Sequence, residues 1–474
     1  MNHISRREFL SGAAALGLGG WRLFAAPLGW KHGGKPNLVF GVLSDTHMMT
    51  DRRGIKMHPK YSDRYFLSAL KYFRDANVDA VVHLGDLANA AQVDAIKFHA
   101  DAWRKVFPDD KGADGRQVAR LFITGNHDLD TQLSEARLKV FYPDDAERAR
   151  HTFANDAAAH WRDIWGEEYS GVWHREVKGY HFFAWQWGFD EAEAARFVLN
   201  HVESCGLSGK KPFFCLSHKR PYVAFRRALR PYGNAVAFFG HCHKSATNWN
   251  TIYMYNESVE RFPSIQCPPC TAPDWSVPLG KDEFKMNVPV EGKDAVGKGR
   301  QGFVVRVYDD MLTIERREFS EGGSLGPDWV MPLGLYTPHP FTKGELRKVI
   351  GEPQFAKSAK LKVGSARLES GEDAVRLSIP CADGNPDSRV YAYEVVVVGD
   401  EGTPKLHKAV YAAGCNMGIG HEPNGGMTTL DIPKSELPPG KTLTFAVRPL
   451  TSLGTSGKAI SAGFKPCETE RLNP

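Results

Sequence analysis

The sequence predicts a layered α/β domain followed by a separate C-terminal antiparallel β-sandwich. A chain of 474 residues is too long for one compact core, so two or more domains are expected. Over the first half of the chain, short apolar runs alternate with helical patterns. Past residue 360, strand-like runs are separated only by turns, which is typical of a β-sandwich.

The α/β prediction starts from an apolar run at residues 38–43 and a second at residues 78–84. Between them Phe66, Leu70 and Phe73 recur at the spacing of one helix face. A second helical pattern contains Ile96, Ala100, Trp103 and Phe107. Further strands are predicted at residues 121–123, 213–216 and 235–239, and a hairpin at residues 302–319. This order indicates a layered domain with a largely buried sheet.

Changes in composition predict the domain boundaries. The α/β domain is expected over residues 31–335, a proline-containing linker over residues 336–358 and the β-sandwich over residues 359–474. Leu437-Pro438-Pro439-Gly440 before the strand at residues 443–447 resembles a fibronectin type III-like domain. Such a domain fixes no chemistry, and its role is open between shaping one wall of the active-site cleft, contacting a glycan or a protein, and stabilising the fold.

The first 30 residues have the pattern of a twin-arginine export signal. Arg6 and Arg7 precede a weakly apolar stretch, and small residues follow near Ala25 and Ala26. An amphipathic helix with a chance arginine pair is the alternative, although the glycine content argues against a stable helix. The signal predicts export by the twin-arginine route, to the periplasm or the cell exterior.

Charge and cysteine content limit the remaining functions. The net charge of +5 is small for this length, so nucleic-acid binding is not indicated. No apolar run after the N-terminus is long enough for a transmembrane anchor. The lone C-x-x-C of Cys267 and Cys270 is compatible with a disulfide, a weak metal pair or two free thiols, and a structural role is favoured.

Potential metal ligands follow directly after the predicted strands. Asp45 and His47 are two residues apart, which on an extended backbone places both side chains on one side. His241 and His243 repeat this spacing. Single ligand-type residues follow three other strands, namely Asp86, Asn126 and His218.

Ligands bind beyond the carboxyl ends of the strands in open α/β sheets, so these seven side chains are expected to converge. Gly85 and Gly125 precede two of them and allow sharp turns and close approach. Oxygen and imidazole ligands without thiolate suit divalent ions such as Mn, Fe or Zn. Two such ions about 3.5–4 Å apart can clamp a phosphoryl group and activate water.

The order D-x-H, G-D, G-N-H-D, H and G-H-x-H resembles the calcineurin-like metallophosphoesterase superfamily. The resemblance implies a metallophosphoesterase-type sandwich and a two-metal site. The implied ligands of the first metal are Asp45, His47 and His243, with Asp86 as the bridging carboxylate. The implied ligands of the second metal are Asn126, His218 and His241. His127 is similar to the unligated histidine that faces the substrate, which makes it the candidate catalytic residue.

Departures from the family motifs argue against some branches of the metallophosphoesterase superfamily. Protein Ser/Thr phosphatases extend the second motif to G-D-x-x-D-R-G, and purple acid phosphatases carry a tyrosine ligand after its aspartate. Here Leu87, Ala88 and Asn89 follow Asp86, which argues against both branches. Asp128 in G-N-H-D is similar to the phosphodiesterase branches.

Residues beside the motifs are open to two interpretations. Lys219 and Arg220 are candidate substrate-binding cations, because a basic wall attracts an anionic phosphate, and a solvated surface is the alternative. His83 is expected to be buried and to point away from the ligands. Trp185 and Trp187 are expected in the core.

The leading hypothesis is an exported dinuclear-metal phosphoesterase that hydrolyses a small phosphorylated substrate, a phosphodiester or phosphomonoester, through a metal-bound hydroxide. A pyrophosphatase acting on nucleotide- or lipid-linked diphosphates is one alternative. A surface-binding protein with a vestigial metal site is the other, and the complete ligand set argues against it.

Overall fold

The computed structural model describes residues 33–50, 64–130, 136, 139, 152–209, 211–254, 261–270, 290–292, 300–309, 311–334, 341–383, 389–400, 402, 404–438 and 442–465. The predicted export signal lies outside these residues.

The chain divides into two compact units. Unit 1 contains the described residues within 1–246, 251–276 and 298–349, and unit 2 those within 247–250, 277–297 and 350–474. The sequence-derived domain boundaries, which are continuous, stay predictions.

Unit 1 contains two six-stranded sheets. The strands of the first sheet are β1 (Leu38–Leu43), β2 (Ala80–Leu84), β3 (Ala119–Ile123), β11 (Gln301–Val307), β12 (Met311–Glu318) and β13 (Trp329–Pro332). Their order is β13-β12-β11-β1-β2-β3. Strands β1, β2 and β3 are parallel, whereas β11 pairs antiparallel with both β1 and β12. The hairpin predicted at residues 302–319 is therefore confirmed.

Helices pack against the first sheet through the faces that the sequence predicts. They are α1 (Arg64–Asp75) and α2 (Val93–Val106), and the chain continues through α3 (Asn126–Leu129) and α4 (Ala157–Trp165). Phe66 and Phe73 of α1 and Trp103 of α2 lie in one apolar core with Val81 and Phe122 of the strands. Residue 107, predicted on the face of α2, lies just past the end of that helix but is still buried.

The second sheet contains β4 (Val172–Val177), β5 (Tyr180–Trp185), β6 (Phe213–Ser217), β7 (Ala235–Phe239), β8 (Ile252–Tyr253) and β9 (Ser264–Gln266). Its strand order is β4-β5-β6-β7-β9-β8. Two helices, α5 (Glu191–Ser204) and α6 (Val223–Leu229), share an apolar core with its strands. Unit 1 also contains a short helix, α7 (Lys343–Val349).

The two sheets pack face to face. The Phe40 ring of β1 lies 5.4, 5.0 and 5.9 Å from the rings of Phe182, Phe214 and Phe238 in the second sheet, in edge-on contacts. Each sheet thus buries one face against the other sheet. The layered α/β fold class is confirmed, with a second sheet where the sequence indicates one.

Unit 2 is rich in β-strands, as predicted for the C-terminal region. Its strands are β10 (Val290–Glu291), β14 (Gln354–Phe355), β15 (Lys362–Arg367), β16 (Asp373–Ile379), β17 (Ala382–Asp383), β18 (Val390–Val398), β19 (Pro404–Tyr411), β20 (Thr428–Pro433), β21 (Leu443–Thr451) and β22 (Ile460–Phe464). The main sheets have the orders β10-β19-β18-β21-β22 and β15-β16-β20. Leu377 of β16 and Val395 of β18 belong to one core. Pairing is antiparallel within both sheets except that β10 runs parallel to β19.

Two smaller predictions concern the described residues. Cys267 and Cys270 are buried free thiols, so no disulfide joins them, and the structural role stays a prediction. Among the described helices, none combines the length and the apolar composition that crossing a membrane requires.

Candidate metal centre

The seven predicted ligands lie at the carboxyl ends of strands in both sheets of unit 1. From the first sheet, Asp45 and His47 follow β1, Asp86 follows β2 and Asn126 follows β3. From the second sheet, His218 follows β6, and His241 and His243 follow β7. The face-to-face packing therefore brings together two sets of strand ends.

One group of potential ligand atoms consists of Asp45, His47, Asp86 and His243, all buried. The Nε2 atom of His243 lies 3.1 Å from Asp45 Oδ1 and 3.1 Å from His47 Nε2. His47 Nε2 is also 3.6 Å from Asp86 Oδ2. These atoms surround a common point, as the ligands of a metal ion do.

A second group consists of Asp86, His218 and His241. His218 Nε2 lies 3.2 Å from Asp86 Oδ2 and 3.3 Å from His241 Nδ1. The Oδ1 atom of Asn126 completes this group, at 2.9 Å from His218 Nε2 and 3.0 Å from His241 Nδ1. Asp86 thus belongs to both groups, and its Oδ2 atom is the one that faces both.

The spacing of these atoms fits divalent metals. Bonds of about 2.0–2.2 Å place neighbouring ligand atoms of an octahedron or tetrahedron roughly 2.8–3.6 Å apart. The shortest contacts in both groups, between 2.9 and 3.3 Å, lie close to this range. The Nδ1–H of His218 donates to Leu84 O at 2.7 Å, which directs its Nε2 into the centre. The residues present therefore fit a two-metal site.

The buried carboxylates and histidines of the centre shift one another's pKa values. Burial opposes ionisation of Asp86, but the nearby His218 holds its pKa well below the usual range. In turn, burial disfavours the charged form of His218, yet Asp86 raises its pKa to about 9. Burial holds the pKa of His47 well below its usual value. Two buried carboxylates, Asp45 and Asp86, thus stay negative and attract cations.

The backbone at the ligands is left-handed rather than extended. Asp45, His47, Asp86, His241 and His243 have positive φ angles of 53°, 46°, 55°, 71° and 53°. The extended backbone predicted for the D-x-H motif and for the H-x-H motif is therefore wrong. Non-glycine residues adopt such angles at a cost of about 1–3 kcal/mol each, and the surrounding contacts must hold them. Strain of this kind concentrates at functional sites.

Close packing explains two glycines of the motifs. A Cβ atom at Gly125 would lie 2.1 Å from Asp86 Oδ1, and one at Gly240 would lie 1.9 Å from Ser44 Oγ. Gly125 has an extended backbone, with φ −113°, so close approach rather than a turn requires it. At Gly85, where φ is 91°, the predicted turn is present.

Asp128 holds the loops that carry two of the ligands. Its carboxylate accepts backbone N–H groups of Leu87, Ala88 and Gly125 at 3.1, 2.8 and 2.9 Å. Burial and the negative charge of Asp86 raise the pKa of Asp128 to about 7. The fourth residue of the G-N-H-D motif is thus a positioning group for Asp86 and Asn126.

Replacing this carboxylate is expected to loosen both loops. Asp128→Ala should weaken metal affinity by about 10–100-fold, which is the usual effect of removing a group that holds metal ligands in place by hydrogen bonds. Competition with a chromogenic chelator measures the effect. Asp163→Ala changes an exposed carboxylate of α4 and is the matched control. Equal affinities for both variants and the unmodified protein would contradict a positioning role.

His127 lies next to the centre but outside both ligand groups. Its Nδ1–H donates to Asn89 O at 2.9 Å, and its Nε2 is 4.0 Å from Asp86 Oδ2. Its ring centroid is 4.4 Å from that of His47. This arrangement places Nε2 beside the carboxylate that the two ligand groups share.

Cationic residues directly follow two of the potential ligands in the sequence. Lys219 and Arg220 are both half-buried, and the Arg220 guanidinium lies 4.6 Å from the Tyr253 ring centroid. The Nζ atom of Lys244 is 5.6 Å from the same ring. The sequence analysis missed Lys244, although its position directly after His243 is a signal of the same kind as that of Lys219 after His218.

Trp187 also belongs to the surroundings of the centre. Its ring is 5.7 Å from the rings of both His218 and His241, and it is half-buried. The prediction that Trp187 is a core residue is therefore wrong, whereas Trp185 is buried as predicted. His83 is buried against Thr46, with 3.1 Å between Nε2 and Oγ1, which confirms that it is not a ligand.

Residues 38–245 match the family model of the calcineurin-like phosphoesterases. The chain contains a calcineurin-like phosphoesterase domain. All seven potential ligands lie within the matched residues, so the enzyme is a metal-dependent phosphoester hydrolase. No curated protein matches the chain.

Three solved structures illustrate similar proteins. A dimetal phosphatase from Danio rerio is 12% identical, with a TM-score of 0.31, and the match covers 63% of this chain and 100% of that one. A purple acid phosphatase from Lupinus luteus is also 12% identical, with a TM-score of 0.35 and coverage of 63% and 55%. A 5′-nucleotidase precursor from Thermus thermophilus is 10% identical, with a TM-score of 0.29 and coverage of 88% and 95%. At these values the similarities bear on neither substrate nor mechanism.

Proposed function

We propose that this enzyme is an exported dinuclear-metal phosphoesterase that hydrolyses phosphodiesters or phosphomonoesters of small organic alcohols. The observation that carries the proposal is the position of Asp86 Oδ2, which faces both ligand groups at 3.2 Å from His218 and 3.6 Å from His47. A carboxylate shared in this way can hold two cations at the short separation that phosphoryl transfer uses.

The roles of the residues follow from their positions. One metal is assigned to Asp45, His47 and His243, the other to Asn126, His218 and His241, and Asp86 is assigned as the bridge between them. Two divalent ions, with Mn, Fe or Zn as the candidates, supply Lewis-acid polarisation of the phosphoryl group and activation of water. Lys219 and Arg220 attract the anionic substrate, and His127 Nε2 donates a proton or hydrogen bond to the departing oxygen.

Metal content and turnover test the proposal together. Protein purified without chelator is expected to hold more than one equivalent of divalent metal and to hydrolyse bis(p-nitrophenyl) phosphate or p-nitrophenyl phosphate. Chelator treatment should remove the activity, and Mn, Fe or Zn should restore it. Metal content near zero, without activity after metal addition, would refute the proposal.

Export is proposed to depend on the arginine pair at the N-terminus. Changing both Arg6 and Arg7 to Lys should leave the precursor in the cytoplasm, because the twin-arginine route reads the pair itself rather than its charge. Cell fractionation with immunoblotting measures the outcome. Arg22→Lys makes the same change later in the apolar stretch and should leave export intact. Normal export of the double variant would refute this route.

The C-terminal region is proposed to be a fibronectin type III-like domain that contacts a glycan or a protein. The two sheets of unit 2 around one apolar core support this proposal.

A further inference from the structure

A cavity of about 540 Å³ opens beside His218. This volume lies within the range of small-molecule sites, about 300–1,000 Å³. Its lining includes the aromatic residues Trp187, Phe189 and Tyr222. Because it shares His218 with the metal centre, an ester bound there can extend its organic part into this space.

We propose that the cavity binds a nucleobase that belongs to the part of the substrate retained on phosphate after hydrolysis. This inference rests on the proposed function and names its substrate class, nucleotide esters. Every nucleobase has a planar π-face, and aromatic side chains bind such faces by stacking. Trp187 is half-buried and Tyr222 is 57% exposed, so both rings present a surface to a ligand.

The wall that carries Trp187 is held in place before any ligand binds. The Oε1 atom of the buried Gln186 accepts the Thr124 N–H at 2.7 Å and the Thr124 hydroxyl at 2.9 Å. The Trp187 N–H donates to Thr124 O at 3.3 Å. Thr124 directly precedes Gly125 and Asn126, so the stacking surface is tied to the metal-binding loop. A preorganised wall loses little entropy on binding.

Tyr222, another lining residue, directly precedes α6 and is also held by hydrogen bonds. The Tyr222 N–H donates to Glu191 Oε2 at 2.6 Å. Lys219 Nζ donates to the Tyr222 hydroxyl at 3.2 Å and lies 5.0 Å from the ring centroid. These contacts hold the exposed ring in the lining of the cavity, where it offers a second aromatic surface to a base.

The charges of the cavity favour a neutral group over a second phosphate. Lys219 is the one lysine or arginine among its lining residues, all of which are described, and Asp190 and Glu191 supply two carboxylates. A second phosphoryl group would meet like charges there, which costs binding energy. The lining thus disfavours the pyrophosphatase alternative and suits an uncharged base.

The positions of His127 and Trp187 indicate where the departing alcohol and the retained nucleoside of the ester lie. The His127 ring lies edge-on to the ring of His47, which belongs to one ligand group, with 4.4 Å between the centroids. Trp187 lies 5.7 Å from His218 and His241, which belong to the other. The departing alcohol therefore lies on the His127 side, and the retained nucleoside lies on the Trp187 side.

Esters with one common leaving group test the inference. The metal-loaded protein is assayed with thymidine 5′-(p-nitrophenyl phosphate), methyl p-nitrophenyl phosphate and hexyl p-nitrophenyl phosphate. We expect kcat/KM for the thymidine ester to exceed that of both alkyl esters by about 10-fold, as stacking of one base provides. Trp187→Ala and Tyr222→Ala should each remove most of this preference. Tyr222→Phe keeps the ring and should keep the preference, as should Trp173→Ala, a matched change on β4.

A binding measurement separates this inference from the proposed function. Calorimetry should show that the unmodified protein binds thymidine 5′-monophosphate about 10-fold more tightly than methyl phosphate. The Trp187→Ala variant should bind the two compounds with similar affinity. The inference would be overturned, with the proposed function left standing, if all three esters were hydrolysed with equal kcat/KM. It would also be overturned if the hexyl ester were preferred over the methyl ester as strongly as the thymidine ester is. Failure to hydrolyse any ester would refute the proposed function, and the calorimetric comparison still decides whether the base is bound.

Discussion

Asp86→Asn is expected to release both metals and to abolish hydrolysis of bis(p-nitrophenyl) phosphate. Asp86 Oδ2 faces His218, His47 and, at 4.0 Å, His127, while its Oδ1 accepts the His127 backbone N–H at 2.8 Å. An amide keeps the shape of the side chain but loses the negative charge between two cations. Removing one partner of a buried charge pair costs about 3–5 kcal/mol, so metal affinity should fall by at least about 100-fold.

Asp79→Asn is the matched control for this prediction. Asp79 is also a buried carboxylate, and it immediately precedes β2, whereas Asp86 follows the same strand. Its partners are the Val39 N–H at 2.9 Å, the Lys178 ammonium at 3.1 Å and the Arg116 guanidinium, none of which belongs to the metal centre. The control variant should retain both metals, measured by elemental analysis of folded protein. Two metal equivalents in Asp86→Asn would contradict the bridging role.

The ends of the strands, and with them the metal centre, could be predicted because local signals coincide there. Strand β1 has the predicted bounds, since an apolar run stops where a polar residue and a turn begin. Each motif then places ligand-type residues on the first positions after a strand. The convergence of Asp45 and His243, which are 3.1 Å apart but far apart in sequence, follows from the face-to-face packing of the two sheets and not from either motif alone.

The conformation of the ligands could not be predicted in the same way. The left-handed backbone at Asp45 depends on contacts with distant residues, such as the His241 N–H that donates to Asp45 Oδ2 at 3.0 Å. Trp187 was misplaced because composition alone does not separate a buried indole from one at a cleft wall. Its position depends on the hydrogen bonds between Gln186 and Thr124, which join the two sheets across 62 residues of sequence.

His127→Ala is expected to slow hydrolysis of alkyl esters far more than that of p-nitrophenyl esters. An alkoxide leaving group needs a proton in the transition state, and a positioned histidine contributes about 10²–10⁴-fold by donating it. The p-nitrophenolate ion leaves without a proton, so its rate should depend little on this side chain. The Nδ1–H bond to Asn89 O fixes the ring, and the variant keeps every ligand of both groups. Metal content should therefore stay unchanged.

The comparison of two leaving groups separates proton donation from support of a metal ligand. Kinetics on the methyl ester of thymidine 5′-monophosphate and on thymidine 5′-(p-nitrophenyl phosphate) would be measured beside the metal content of each variant. His174→Ala removes a half-buried imidazole from β4 and should change neither rate by more than about twofold, because a residue remote from the centre has no interaction with the reacting groups. If His127→Ala lost metal, or lost both rates equally, His127 would act by orienting His47, whose ring it contacts at 4.4 Å, rather than by donating a proton. A selective loss with the methyl ester, at full metal content, is the result that the position of His127 Nε2 leads us to expect.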